Sequence, residues 1–244
     1  TTIEPFGELP FKEAVAIFKE QVKILVDAGV DLISIETMFD LQEMKAAVVA
    51  AKEVGKVPIM AMMTFTKDLL TDTGTDPETA AVVLEGLDVD IIGTNCSTGP
   101  EYMLPVVEKL AKATERFISV QPNAGLPVNK GGKTIFPASA DEVASFAKKF
   151  VQAGANIIGG CCGTTPEYIK LISKILKNKV PKPKTKSSCL RITSRSKTAY
   201  IGQGYPFFKI GEKINPTGKK SFAESIKEGR TDLIVTEARK EFEA

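Results

Sequence analysis

The chain has 244 residues, 43% of them hydrophobic, with four cysteines, no histidine and a formal net charge of +2. That length and apolar share fit one large globular domain, or one domain and a piece of another, and near-neutral charge gives no argument for nucleic acid or an anionic membrane surface as partner. Without histidine there is no Cys/His zinc site, no imidazole-activated nucleophile and no imidazole-ligated cofactor, so any chemistry must run on thiols, carboxylates, amides and hydroxyls.

No apolar run approaches the roughly 20 residues needed to span a bilayer, and the first residues lack the basic and apolar regions of a signal peptide. A cytoplasmic, reducing location is therefore expected, with the cysteines present as thiols or metal ligands rather than disulfides.

Thr1 to Phe11 holds two prolines and a glycine and reads as a loop. Phe11, Val15, Phe18, Val22, Leu25 and Val26 then recur at helical spacing, predicting an amphipathic helix over about 12–28 that ends at Gly29. Val30 to Glu36 reads as a buried strand ending in a carboxylate. An alanine-rich helix over 40–54 and a strand from Pro58 to Phe65 follow.

After a polar connection, Asp76-Pro77 starts a helix through Leu84 with the aspartate as cap. The third strand runs into Gly93-Thr94-Asn95-Cys96, and its helix from Pro100 to about Lys112. Phe117 to Gln121 is a fourth strand that breaks into the loop Pro122-Asn123-Ala124-Gly125-Leu126-Pro127. Beyond a glycine-containing excursion, Asp141 to Gln152 is a helix, the fifth strand reaches Cys161, and Pro166 to Leu176 closes the series, with Thr165 as N-cap.

Strand starts near 30, 58, 89, 117 and 155 alternate with helices, which is the pattern of parallel βα units. In such a sheet the carboxyl ends of the strands share one face, where sites form. This chain offers there Glu36, Thr64, Asn95, Cys96, Gln121, Asn123, Cys161 and Cys162. Two of its loops match in form, each placing cysteine just after a strand and just before a helix. The three thiols either converge on a metal, zinc being the first candidate because it accepts thiolates and leaves a fourth position open in catalytic sites, or they are small buried hydrophobes. Cys189 lies in a polar basic stretch and reads as a bystander.

From Lys177 to Lys197 the composition turns to lysine, proline, serine and threonine and reads as a linker. Pro206 to Ile214 rises again into a strand, and a helical pattern runs from about Ser221, as in the first unit of a second domain.

Gly159-Gly160-Cys161-Cys162-Gly163-Thr164-Thr165-Pro166, with Gly93-Thr94-Asn95-Cys96 and Gln121-Pro122-Asn123-Ala124-Gly125, resembles the zinc-dependent homocysteine S-methyltransferases. Ile210 to Gly218 is similar to the opening strand of the pterin-binding barrels that handle methyltetrahydrofolate. A homocysteine domain, a linker and a pterin domain is the order of cobalamin-dependent methionine synthases. The resemblance implies a (β/α)8 TIM barrel of which the last five βα units lie in 1–178, a linker over 179–205, and the first unit of a second TIM barrel over 206–244. Without its first three strands such a barrel should not close by itself.

Carried over position by position, the resemblance makes Cys96, Cys161 and Cys162 the zinc ligands. No catalytic group beyond the metal site is implied, since a thiolate attacking a methyl group needs alignment more than acid or base help. Glu36 is the candidate for the ammonium of homocysteine, with helix capping as its bland role. Asn123 would lend an amide oxygen to zinc before substrate arrives, or merely shape the turn. Thr94 and Asn95 are read as shaping the metal loop. Asn215 would contact the pterin, or serve the turn at Pro216. The implied methyl donor is methylcobalamin on a corrinoid-binding domain outside this chain, recharged from methyltetrahydrofolate. Two alternatives stand beside it: an enzyme using betaine or S-methylmethionine, and a non-catalytic zinc module.

Overall fold

The computed structural model describes residues 2–181, 189–207 and 214–243. The chain divides into two compact units, Thr1–Gly202 and Gln203–Ala244.

In the first unit α1 (Phe11–Asp27) leads into β1 (Ile33–Met38), α2 (Leu41–Val54), β2 (Ile59–Met63), α3 (Pro77–Gly86), β3 (Ile91–Asn95), α4 (Pro100–Ala113) and β4 (Phe117–Gln121). The cap expected at α3 forms, Asp76 accepting from the Thr79 N–H, and α2 is capped by Asp40, which accepts from the Gln42 N–H. A hairpin follows, β5 (Val128–Lys130) and β6 (Lys133–Ile135), turning on Gly131 and Gly132, both at positive φ. The unit continues through α5 (Ala140–Ser145), α6 (Ala147–Ala153), β7 (Ile157–Ile158), α7 (Pro166–Leu176) and a second hairpin, β8 (Leu190–Thr193) and β9 (Thr198–Ile201).

Five strands form one open parallel sheet in the order β1-β2-β3-β4-β7. The architecture is thus α/β with a parallel sheet, as the alternation predicts. Ile33, Ile35, Ile59, Ala61, Ile92, Ile118 and Val120 point to one face and pack with the helices in the main core. Strand alternation puts Ser34, Glu36, Met62, Gly93, Ser119 and Gln121 on the other face. Phe117 and Ile157 lie on that second face and stay 61% and 39% exposed, while Met62 and Ser119 on the same face are buried; among the described residues the main-core helices pack against the first face.

Three expectations change. The helix expected over 141–152 is two helices meeting at Phe146, where the Ser145 hydroxyl donates back to the Glu142 carbonyl and the Phe146 N–H bonds the Val143 carbonyl in a tightened turn. The fifth strand stops at Ile158, short of Cys161. Beside it Pro122 has no N–H to extend the ladder, so Cys161 donates to the Pro122 carbonyl without a return bond. Thr165 takes the N-cap position of α7 but its side chain makes no capping bond.

The expected linker over 179–205 contains the β8–β9 hairpin, which belongs to the first unit. It lies along α3 and is fixed by polar contacts rather than an apolar face. Arg191 pairs with Glu85 at 2.9 Å and donates to the Ala113 carbonyl; Arg195 pairs with Asp40 at 2.6 Å and lies over the Phe6 ring; Thr198 bonds Thr79.

The second unit holds α8 (Lys220–Lys227), with Phe222 and Ser225 buried, and α9 (Asp232–Glu243). Most of the strand expected over 206–214 lies outside the described residues.

Candidate metal centre

The three cysteines come from two loops at the carboxyl end of the sheet. Cys96 follows β3 directly, and both Cys96 and Ser97 sit at positive φ, 61° and 63°. For residues other than glycine this conformation costs on the order of 1 kcal/mol each. It is held by the Cys96 N–H donating to the Gln121 carbonyl and the Thr98 N–H donating to the Cys96 carbonyl. The chain thereby turns sharply at the strand end instead of running on, and the thiol stays beside β4.

The second loop is built more tightly. Cys161 donates its N–H to Pro122, Cys162 donates its N–H to the Asn123 Oδ1 at 3.0 Å, and Ala124 donates to the Cys162 carbonyl. The Thr164 hydroxyl and N–H both reach the Cys161 carbonyl. Gly163 has φ 80°, and a Cβ there would stand 2.4 Å from the Phe136 Cβ; only glycine fits.

These constraints bring the ligand atoms of Cys96, Cys161 and Cys162 within 4.8 Å of one another, and the Cys96 and Cys162 sulfurs to 3.9 Å. A tetrahedral ion with metal–sulfur bonds of about 2.3 Å needs sulfurs about 3.8 Å apart. The donor set therefore fits a soft divalent ion such as zinc. Among the described residues the cluster contains no fourth Cys, Asp or Glu. Burial, then the neighbouring Cys96 and Cys162 sulfurs, push the Cys161 thiol up to about 12; burial, then Cys96, push Cys162 up as well. Gathered without a cation, these thiols hold their protons.

Glu36 is exposed on the face opposite the helices, accepting from the Ser34 hydroxyl at 2.8 Å and facing the Gln121 amide at 3.5 Å. Among the described residues no lysine or arginine forms an ion pair with it. It does not cap α2; Asp40 does. Asn123 is buried against the cysteine loop with its amide oxygen engaged by the Cys162 N–H. Asn215 lies in the second unit, where its side chain accepts from the Thr217 N–H in a local turn. Cys189 is half-buried and not part of the thiol cluster.

Sequence reasoning did not find the bond network of Asn95. Its side chain reaches Thr37 on β1 with two hydrogen bonds of 2.8 Å and the Cys161 sulfur at 3.8 Å. Its only sequence signal is its place beside Cys96.

Residues 2–176 match the model of the homocysteine S-methyltransferase family. The methionine synthase of Mycobacterium tuberculosis (strain ATCC 25618 / H37Rv) is 31% identical over 233 residues, 93% of this chain and 20% of that protein. This chain thus spans about a fifth of that relative's length. Among solved structures, the apo form of the homocysteine methyltransferase MmuM from Escherichia coli superposes with a TM-score of 0.59 at 24% identity, over 71% of this chain and 61% of that one. Its metallated form gives 0.55 at 26%, over 66% and 52%. On the family match, which takes in most of its length and all three clustered cysteines, this chain belongs to the homocysteine S-methyltransferase family.

Proposed function

We propose that this chain binds homocysteine through a zinc ion held by Cys96, Cys161 and Cys162 and readies its sulfur for methylation to methionine, as one module of a cobalamin-dependent methionine synthase. The observation that carries the reading is the meeting of three thiols, with no fourth protein ligand among the described residues, at the carboxyl end of a parallel sheet. Zinc bound there would lower the pKa of an incoming thiol and, surrounded by three protein thiolates, leave its sulfur nucleophilic.

The chain's own groups supply position. The Asn123 amide holds the Cys162 backbone, and the bonds at Cys161 fix the vicinal pair, so the sulfurs wait in place and the approach of methyl donor and sulfur is a matter of alignment. Glu36, exposed and without a cationic partner among the described residues, suits the ammonium group of the amino acid. An incoming thiol is the most natural occupant of the open position.

A methionine synthase is favoured over an enzyme using betaine or S-methylmethionine because the M. tuberculosis alignment covers 93% of the chain, well past the family match that ends at residue 176. On this reading residues 1–178 supply the last five units of a (β/α)8 barrel, 179–205 connect it onward, and 206–244 begin a pterin-binding barrel in which Asn215 is a candidate contact. The methyl donor is methylcobalamin on a corrinoid domain elsewhere, recharged from methyltetrahydrofolate, in a cytoplasmic enzyme. No helix among the described residues is long and apolar enough to cross a membrane.

Titration with zinc, alone and then with homocysteine, tests the proposal. The expected result is one tightly bound zinc per chain and a second proton release on adding homocysteine. Zinc binding with no response to homocysteine would favour a closed, non-catalytic site.

A further inference from the structure

Strand β1 carries a bulge whose reason lies on another strand. From Ile35 to Met38 the chain takes three steps while its partner β2 takes two, from Ala61 to Met63. The extra residue falls at Glu36-Thr37, and Thr37 sits at φ 61°, a strained conformation for a β-branched side chain. A bulge also leaves a backbone N–H without its ladder partner. Here the Thr37 N–H donates to the Asn95 Oδ1 at 2.8 Å.

Because a backbone N–H can only donate, that bond fixes which end of the Asn95 amide is oxygen. The Nδ2 end then donates to the Thr37 hydroxyl at 2.8 Å and lies 3.8 Å from the Cys161 sulfur. Asn95 is fully buried, and its own carbonyl accepts from the Thr64 hydroxyl at 3.0 Å, which anchors its backbone to the residue just past β2 as well. One side chain thus links the bulge beside Glu36 with a thiol on the far side of the sheet.

We propose that Asn95 is a positioning residue: oriented by Thr37, it holds the Cys161 sulfur in ligand position by an N–H···S bond and fixes the spacing between that sulfur and Glu36. The inference rests on the zinc and homocysteine reading above. A homocysteine molecule joins its sulfur to its ammonium-bearing carbon through two methylenes, so a site that grips both ends needs a set distance between the two grips. Outer groups that hydrogen-bond a ligand govern metal affinity about 10- to 100-fold when removed. An asparagine present only to satisfy the fold would affect stability but not the electronic state of the bound metal.

The test uses the purified full chain loaded with zinc or with cobalt(II). The wild type is measured first; if it takes up neither metal, the functional reading and this inference fall together. Given uptake, Asn95→Leu, which keeps the branched shape and removes the donor, is expected to weaken zinc binding about 10- to 100-fold in chelator competition. It should also move the sulfur-to-cobalt charge-transfer band to longer wavelength, because the sulfur lone pairs lose a stabilising N–H. Thr37→Ala, which leaves the amide in place but removes the hydroxyl that orients it, should give smaller changes of the same sign, and Thr37→Ser should restore wild-type behaviour. Zinc affinity within twofold of wild type and an unshifted band in Asn95→Leu would overturn the proposal. If Asn95→Leu does not fold, the same two null results in Thr37→Ala overturn it.

Discussion

The sulfurs of Cys96 and Cys162 stand 3.9 Å apart although the residues are 66 positions apart in the chain. The contact is made by the loops that follow β3 and β7, strands that flank β4 in the sheet, so the topology of the parallel strands makes the cluster. Removing a sulfur while leaving the strands alone should separate metal binding from folding. Cys161→Ser and Cys162→Ser are each expected to lower zinc in freshly reduced protein from one per chain to well below one, with the circular dichroism spectrum unchanged. Elemental analysis showing full zinc content in both variants would remove the metal centre.

Metal uptake should depend steeply on pH. With Cys161 pushed up to about 12 and Cys162 raised too, these thiols are protonated in the metal-free protein at neutral pH, yet a metal binds them as thiolates. Acid favours the protonated, free site and base the loaded one. Zinc affinity should therefore fall as pH is lowered, by about a factor of ten per pH unit for each proton released. Competition with a chelator at several pH values reads the slope, and a flat profile would mean that the thiols are not the ligands.

The ion pair between Arg195 of the β8–β9 hairpin and Asp40 should stabilise the first unit. Arg195 and Asp40 are 2.6 Å apart with side chains only 18% and 7% exposed, and Arg195 also lies over the Phe6 ring. Asp40→Asn keeps an oxygen to cap α2 but leaves the guanidinium without its counter-charge. Breaking a mostly buried pair from one side costs several kcal/mol; with the partial exposure of Arg195 the expected loss is about 1–3 kcal/mol. Urea unfolding measures it, and an unchanged midpoint would make the pair incidental.

How much of this was legible in the sequence follows from where each signal resides. The parallel units were readable because apolar periodicity and capping residues such as Asp76 are local, and the metal loops because glycines and cysteines sit together in them. The β8–β9 hairpin was not, because Arg191, Arg195 and Thr198 hold it by charge and hydrogen bonds to Glu85, Asp40 and Thr79, more than a hundred positions earlier. The early end of β7 turns on Pro122 in the neighbouring strand's loop. The link from Asn95 to Thr37 spans 58 positions and joins two residue types that are unremarkable alone.

Gly163→Ala should damage the centre without touching a ligand. The new Cβ would meet Phe136 at 2.4 Å, on a backbone with φ 80°, so the loop must shift. Alanine at such a φ destabilises by more than about 1 kcal/mol, and here the clash adds to it. Because Cys162 is the preceding residue, the shift should appear as weaker zinc binding as well as a lower melting temperature. A variant with lowered melting temperature and wild-type zinc affinity would show that the loop tolerates the shift while its sulfurs stay in place.

Glu36 should govern substrate binding and leave the metal alone. It stands exposed on the face opposite the helices, next to the Thr37 bulge, and bonds the Ser34 hydroxyl and the Gln121 amide. A carboxylate so placed gives an ammonium group a charged partner, and a hydrogen bond between charged groups is worth about 1.5–3 kcal/mol, or roughly ten- to a hundredfold in Kd. Glu36→Gln keeps the shape and a hydrogen-bond acceptor but loses the charge. Calorimetry on the zinc-loaded protein should then show homocysteine binding weakened by that factor, with zinc affinity unchanged. The same thiol without the amino group, 4-mercaptobutanoate, should bind wild type and variant with more nearly equal affinity. If Glu36→Gln binds homocysteine as tightly as wild type, the ammonium is held elsewhere, and the carboxylate on β1 serves only its local bond to Ser34.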